Sequence, residues 1–348
     1  MFRNRHFSFV TGIFLALAFA SGSSYALPYS SLVIFGDSLT DSGSNAFVID
    51  TQIAPPGTPP GTLRTPTPID SSAFIPSLPY ASNRYSNGPV WVEQFAAKLG
   101  LSALPSVLGG TNYSFGGART GPAGSSFPFS LTDQVQLHLG DAGGAAQGDA
   151  LYVVAGGGNN ARDAAQLAAG GGNPTAVIES YINDIATILT QLSGAGAKNI
   201  LLVNVPNIGL TPAIRTFDPV AAAGASAIAA GMNAALGGVL AGLLPALQSD
   251  VKIFDFFTAF TNVVANPGAF GLTDATSACA FVTACLADPD TTLFWDGIHP
   301  TATGHRLIAD AVFASAIPEP SSLALVLVAG LVLGWRCESE RERRRRSI

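Results

Sequence analysis

The sequence has little charge, little histidine and little sulfur. Of its 348 residues, 11% are Asp, Glu, Lys or Arg, 4 are His, 3 are Cys and 2 are Met. The few basic residues are also unevenly spread: Arg3 and Arg5 open the chain, and Arg336, Arg341, Arg343, Arg344, Arg345 and Arg346 close it. Setting these aside from the 17 Lys+Arg, and Glu338, Glu340 and Glu342 from the 23 Asp+Glu, leaves the body near net −11. So acidic a surface argues against nucleic acid as a partner and against electrostatic capture by anionic membranes. Cys279 and Cys285 are the only cysteines of the body, and their surroundings do not provide the spacing of a metal-ligand set. The shortage of histidine narrows any base catalysis to His138, His299 and His305, because His6 lies in an apparent targeting segment.

What is present is a core-forming chain, 48% hydrophobic with 38 glycines, whose length between its two ends suits one α/β unit. It is organised around Phe35-Gly36-Asp37-Ser38-Leu39. Before this stretch, Ser31 to Phe35 is an apolar, β-branched run of strand length; after it, Thr40 to Asn45 is polar and turn-rich. A serine therefore stands where a buried strand ends, the place where parallel α/β sheets bind ligands. A serine hydroxyl is a weak nucleophile and needs a base. His299 in Trp295-Asp296-Gly297-Ile298-His299-Pro300 fits that need, with Asp296 spaced to share one side of a loop with it and orient the imidazole.

Gly36-Asp37-Ser38-Leu39 together with Asp296-Gly297-Ile298-His299-Pro300 resembles the GDSL family of lipolytic esterases, the SGNH hydrolases. The resemblance implies a flavodoxin-like three-layer α/β/α sandwich around a parallel sheet, with Ser38, Asp296 and His299 as triad and no metal or organic cofactor. It also implies an oxyanion hole formed by the Ser38 backbone, Gly117 in Thr111-Asn112-Tyr113-Ser114-Phe115-Gly116-Gly117-Ala118, and the side chain of Asn159 in Gly157-Gly158-Asn159-Asn160. Gly116, one register away, stays open as the glycine donor, and Asn160 stands where the family pattern has aspartate. The run Arg84-Tyr85-Ser86-Asn87-Gly88 before a Trp-Val helix resembles the lipase-like branch.

The rest of the chain alternates helix and strand. Helices are expected after Pro89, from about Asn173 to Gly194, from Val220 to Leu244, over Phe256 to Ala265 and over Gly304 to Ala314; strands at Leu151–Ala155, Ile200–Val205 and Val251–Phe254. The alternation implies a parallel sheet covered on both faces. His305 falls inside the last helix and reads as structural; His138 reads as the exposed side of a short helix. A Pro-rich insertion over 44–82, densest from Pro55 to Pro68, is expected to run over the surface as a loop, either bordering the substrate cleft or only solvated.

Both ends read as processing signals. Arg3 and Arg5 precede an apolar run from Phe7 to Ala20, and Ser24-Tyr25-Ala26 offers small residues for cleavage, so 1–26 is expected to be a signal peptide. At 317–348, Pro318-Glu319-Pro320, the apolar run Leu323 to Trp335 and the arginine cluster resemble the PEP-CTERM sorting tail of Gram-negative bacteria, which implies an exosortase-type partner and transient membrane association. A catalytic domain of 27–316 outside the cytoplasm follows, and with it a Cys279–Cys285 disulfide. The substrate is expected to be a lipid, aryl or acetylated-sugar ester. A lipid acyltransferase using the same triad, and a non-catalytic surface or matrix binding protein keeping the fold, are the competing readings.

Overall fold

In the computed structural model, which describes residues 29–53, 82–122, 129–215 and 218–316, Leu32-Val33-Ile34-Phe35-Gly36 forms strand β1 (Leu32–Gly36) with every residue buried. The signal peptide expected over 1–26, the sorting tail over 317–348 and residues 54–81 of the insertion lie outside the described residues.

Beside β1 run β2 (Leu151–Ala155), β3 (Asn199–Val203) and β4 (Asp250–Phe254), all parallel, in the order β1-β2-β3-β4. Leu32, Leu151, Asn199 and Asp250 are aligned across the sheet. On the other flank of β1, Tyr113 donates its N–H to the Ile34 carbonyl at 2.8 Å and Ile34 donates to Thr111 at 3.0 Å. Residues 111–113 thus lie where a second strand would stand in the flavodoxin-like order, and the site falls at the switch point beside β1.

The α-helices among the described residues are α1 (Ser44–Val48), α2 (Trp91–Lys98), α3 (Leu131–Asp141), α4 (Gly158–Ala169), α5 (Thr175–Ala195), α6 (Pro212–Arg215), α7 (Pro219–Leu243), α8 (Phe256–Ala265), α9 (Thr283–Ala287) and α10 (Ala302–Ala316). Successive strand residues point to opposite faces, which splits the core in two. Val33, Phe35, Tyr152, Val154, Ile200 and Leu202 meet Leu131, Ile185, Leu189 and Met232 from α3, α5 and α7. Leu32, Ile34, Val153, Leu201 and Val203 meet Phe95, Phe260, Ile308 and Val312 from α2, α8 and α10. The result is three layers, with strands apolar on both faces as parallel sheets require. Among the described residues, one helical stretch, Pro219–Ala246, is long and apolar enough to cross a membrane by length and composition. Here α7 instead buries Ala225, Ala229, Met232, Leu236 and Leu240 along one side.

Two expectations need correction. The insertion does not begin as a surface loop: 44–53 is helical, α1 followed by one π-helical turn, and Ser44, Asn45, Ala46 and Val48 are buried. The cause is Asp41, whose carboxylate accepts the N–H groups of Gly43, Ser44 and Asn45 and so nucleates the helix. His138 is not on the exposed side of α3 but packs against Phe35, Tyr113 and Tyr152, with ring centroids 5.3–5.7 Å away, while Leu137 faces outward. Burial lowers the His138 pKa. His305 is buried and accepts the Trp91 N–H on Nδ1 at 3.1 Å, the structural role expected of it.

Candidate active site

Ser38 follows β1 directly, and the strand end beneath it is clamped. The Gln134 side chain from α3 accepts the Gly36 N–H at 2.8 Å and donates to the Gly36 carbonyl at 2.9 Å, continuing the sheet with a side chain. Asp37 then closes the turn, its carboxylate accepting the Leu39 N–H and its carbonyl accepting Thr40 and Asp41.

His299 arrives from the far end of the chain. A second small parallel pair, β5 (Asp274–Ala278) and β6 (Thr292–Phe294), leads into the segment Trp295 to Pro300. Within it, Asp296 Oδ1 accepts the N–H groups of Ile298 and His299 at 2.6 and 2.7 Å, an Asx turn that curls the loop back on itself. This leaves Oδ2 facing His299 Nδ1 at 2.7 Å, and His299 Nε2 lies 2.9 Å from Ser38 Oγ. The carboxylate only accepts, so Nδ1 carries the proton and Nε2 is free to accept the serine hydroxyl. Both Asp296 and His299 are buried.

Three contacts fix this loop. Ala213 donates its N–H to Gly297 at 2.8 Å; Ser86 Oγ donates to the Pro300 carbonyl at 2.9 Å; Asn87 Oδ1 accepts Ala302 N–H at 2.7 Å at the start of α10. The ring of Tyr85 lies 5.3 Å from the His299 imidazole, its hydroxyl accepting from Asn45. Cys279 and Cys285 are disulfide-bonded, with Cα atoms 5.2 Å apart, and Ala280 in that loop donates to the Trp295 carbonyl at 2.9 Å. The bridge therefore stiffens the support of the Asp296 segment.

The donor groups expected around the serine are held with equal care. Gly116 N–H is taken by Asp41 Oδ2 at 2.9 Å, so it is not available to a ligand. The Gly117 carbonyl accepts from Arg119, which pairs bidentately with Asp163 of α4, and the Ala118 carbonyl accepts from Asn159 Nδ2 at 2.7 Å. The Gly116 N–H and the Gly117 and Ala118 carbonyls are thus engaged, whereas the N–H groups of Gly117 and Ser38 have no partner among the described residues. Of the two glycines left open above, the structure leaves Gly117 able to donate. Its φ of +83° is a conformation that favours glycine, and a Cβ at Gly116 would run into the Tyr85 ring.

Asn159 opens α4 and lines the cleft with Ser38. Its Oδ1 accepts from Arg162 Nη1 at 2.9 Å, so Arg162 on one side and the Ala118 carbonyl on the other admit only one amide orientation, with the NH2 toward the cleft loop. Arg162 was not singled out from sequence. It is buried, lines the same cleft, and burial lowers its pKa to about 10, leaving it a cation at neutral pH near Asp37 and Asp296. Asn160 holds Thr120, accepting its N–H and donating to its hydroxyl, both at 3.1 Å. A neutral amide thus does the bracing where the family pattern has a carboxylate. Burial raises Asp37 and Asp41 to about 6 each, against the hydrogen bonds they accept.

A sequence model of the GDSL-like lipase/acylhydrolase family matches residues 32–312, from the first residue of β1 to the penultimate turn of α10. The chain belongs to that family. It is accordingly a serine carboxylic-ester hydrolase with the SGNH α/β architecture, and both esterases and an acyltransferase are among its relatives. A GDSL esterase/lipase of Arabidopsis thaliana is 25% identical over 90% of this chain and 92% of its own length. Esterase EstA of Pseudomonas aeruginosa is 29% identical over 86% of this chain, which spans 48% of that protein. A phosphatidylcholine-sterol acyltransferase of Aeromonas hydrophila is 27% identical over 72% of this chain and 65% of its own. Among solved structures, a catalytic mutant of the acetylxylan esterase Axe2 of Geobacillus stearothermophilus has a TM-score of 0.43 at 16% identity, over 83% of this chain and 94% of that one.

Proposed function

We propose that the protein is an exported GDSL esterase that cleaves carboxylic esters through an acyl-enzyme on Ser38. The observation that carries this reading is the buried chain Ser38–His299–Asp296, with spacings of 2.9 and 2.7 Å. His299 Nε2 takes the Ser38 proton as Oγ attacks the ester carbonyl, and Asp296 stabilises the imidazolium that forms. The negative oxygen of the tetrahedral intermediate is met by the N–H groups of Ser38 and Gly117 and by the Asn159 amide. Collapse expels the alcohol, which receives the proton from His299. Water, deprotonated by the same imidazole, then attacks the acyl-enzyme, and the acid leaves as Ser38 regains its hydrogen.

Export is supported by the Arg3/Arg5 and Phe7–Ala20 pattern and by the Cys279–Cys285 bridge, which persists in oxidising compartments. In this reading the tail 317–348 holds the enzyme at the envelope of a Gram-negative cell until sorting machinery releases it. One second reading has a specific observation behind it: the relative from Aeromonas hydrophila is a phosphatidylcholine-sterol acyltransferase, so the acyl group on Ser38 could pass to an alcohol instead of water. Hydrolysis of p-nitrophenyl esters by the wild type and Ser38→Ala, with and without an acceptor alcohol, tests both. Release that vanishes in the variant, with free acid as product, supports the esterase; an ester of the acceptor as main product favours the transferase; release unchanged in Ser38→Ala overturns both.

A further inference from the structure

We propose that an apolar cavity next to the Ser38 cleft receives the acyl chain of the ester, so that the enzyme prefers substrates of about eight acyl carbons or more over acetate. This rests on Ser38 being the residue that takes the acyl group.

The Ser38 cleft and this cavity share three walls, Phe256, Phe260 and Pro300. Pro300 follows His299 directly, and the two phenyl rings come from consecutive turns of α8, 5.8 Å apart edge to face. Beside that wall lies a volume of about 210 Å³ between α8 and α10, in which Asn262 is the only polar side chain among the described residues that line it. An apolar cavity of about 150 Å³ stays dry and takes up benzene, so by proportion this one has room for about eight carbons. It exists because α8 and α10 present small residues there: Ala259 and Ala311 face the space that larger side chains would fill.

The lining of the Ser38 cleft mixes polar and apolar residues, and the apolar volume beside it sets the direction of the acyl chain. Asn159, Arg162 and Thr211 are among its polar lining residues, suited to an alcohol or headgroup, and Leu39, Ile208 and Ile298 line it together with the phenyl wall. A hydrocarbon chain leaving the carbonyl gains most by turning towards the phenyl wall, because the larger apolar volume lies next to it. Each methylene that enters an apolar site is worth about a fourfold gain in kcat/KM.

The test uses the full chain with p-nitrophenyl esters from acetate to palmitate, and titration of the Ser38→Ala protein with decanoate. The wild type should gain about fourfold per methylene from butyrate towards octanoate. Ala259→Trp should lower the octanoate-to-acetate ratio of kcat/KM at least tenfold and weaken decanoate binding similarly. Ala311→Leu, a smaller filling, should lower both in the same direction and serves if the tryptophan variant does not fold. Ester cleavage with a ratio unmoved by both variants overturns the acyl cavity and leaves the esterase standing. No cleavage, but decanoate binding that Ala259→Trp removes, keeps the cavity and overturns the esterase. Neither cleavage nor binding overturns both.

Discussion

Asn159 ties the Gly117 loop to α4 through the Ala118 carbonyl, and in the proposed mechanism its other amide hydrogen meets the oxyanion. Asn159→Ala is expected to lower kcat by about 10²–10³ with little change in KM, because that donor acts on charge present only in the transition state. Steady-state kinetics on p-nitrophenyl butyrate check it. Asp37 gives a second residue-scale outcome, on stability. Its folded pKa, near 6, exceeds the usual 3.8, so the native state binds that proton more tightly than the unfolded chain. This contribution is fully present below pH 3.8 and is lost as pH rises through 6. Asp37→Asn removes the titration, and the Tm of the variant minus that of the wild type should be larger at pH 7.5 than at pH 4. Taking the difference matters because His305, held near 3 by burial, titrates in the opposite sense.

Elements were legible where the signal was local. α5 starts within two residues of the Asn173-Pro174 signal and stops at Gly196, β2 and β4 lie where the apolar runs place them, and β3 ends two residues short of the expected run. Ser38, Asp296 and His299 were legible because each sits in a contiguous motif. Arg162, Gln134 and Tyr85 were not, because their roles depend on partners far along the chain: Gln134 and Gly36 are 98 residues apart. His138 was misplaced for a related reason, since a short helix shows its buried side only once its aromatic neighbours are known. The Cys279–Cys285 element belongs to this scale too. Closing so short a loop is worth about 2 kcal/mol, so Cys279→Ser should lower Tm by about 5 °C and make it insensitive to reductant. A thermal melt with and without dithiothreitol measures this.

At the scale of the whole molecule, the site is assembled from five distant stretches, those around Ser38, Ser86, Gly117, Asn159 and His299. Block-to-block bonds hold them: Asp41 to Gly116, Arg119 to Asp163, Asn159 to Ala118, Ser86 to Pro300. The body near net −11 does not itself favour anionic surfaces. The proposed mechanism requires this assembly to make one serine nucleophilic. Reaction with an alkyl phosphonate, followed by intact-mass and peptide mapping, tests it most directly. One adduct per chain is expected, on Ser38 and lost in His299→Ala. A protein that hydrolyses esters yet carries no adduct, or carries it on another residue, would contradict it.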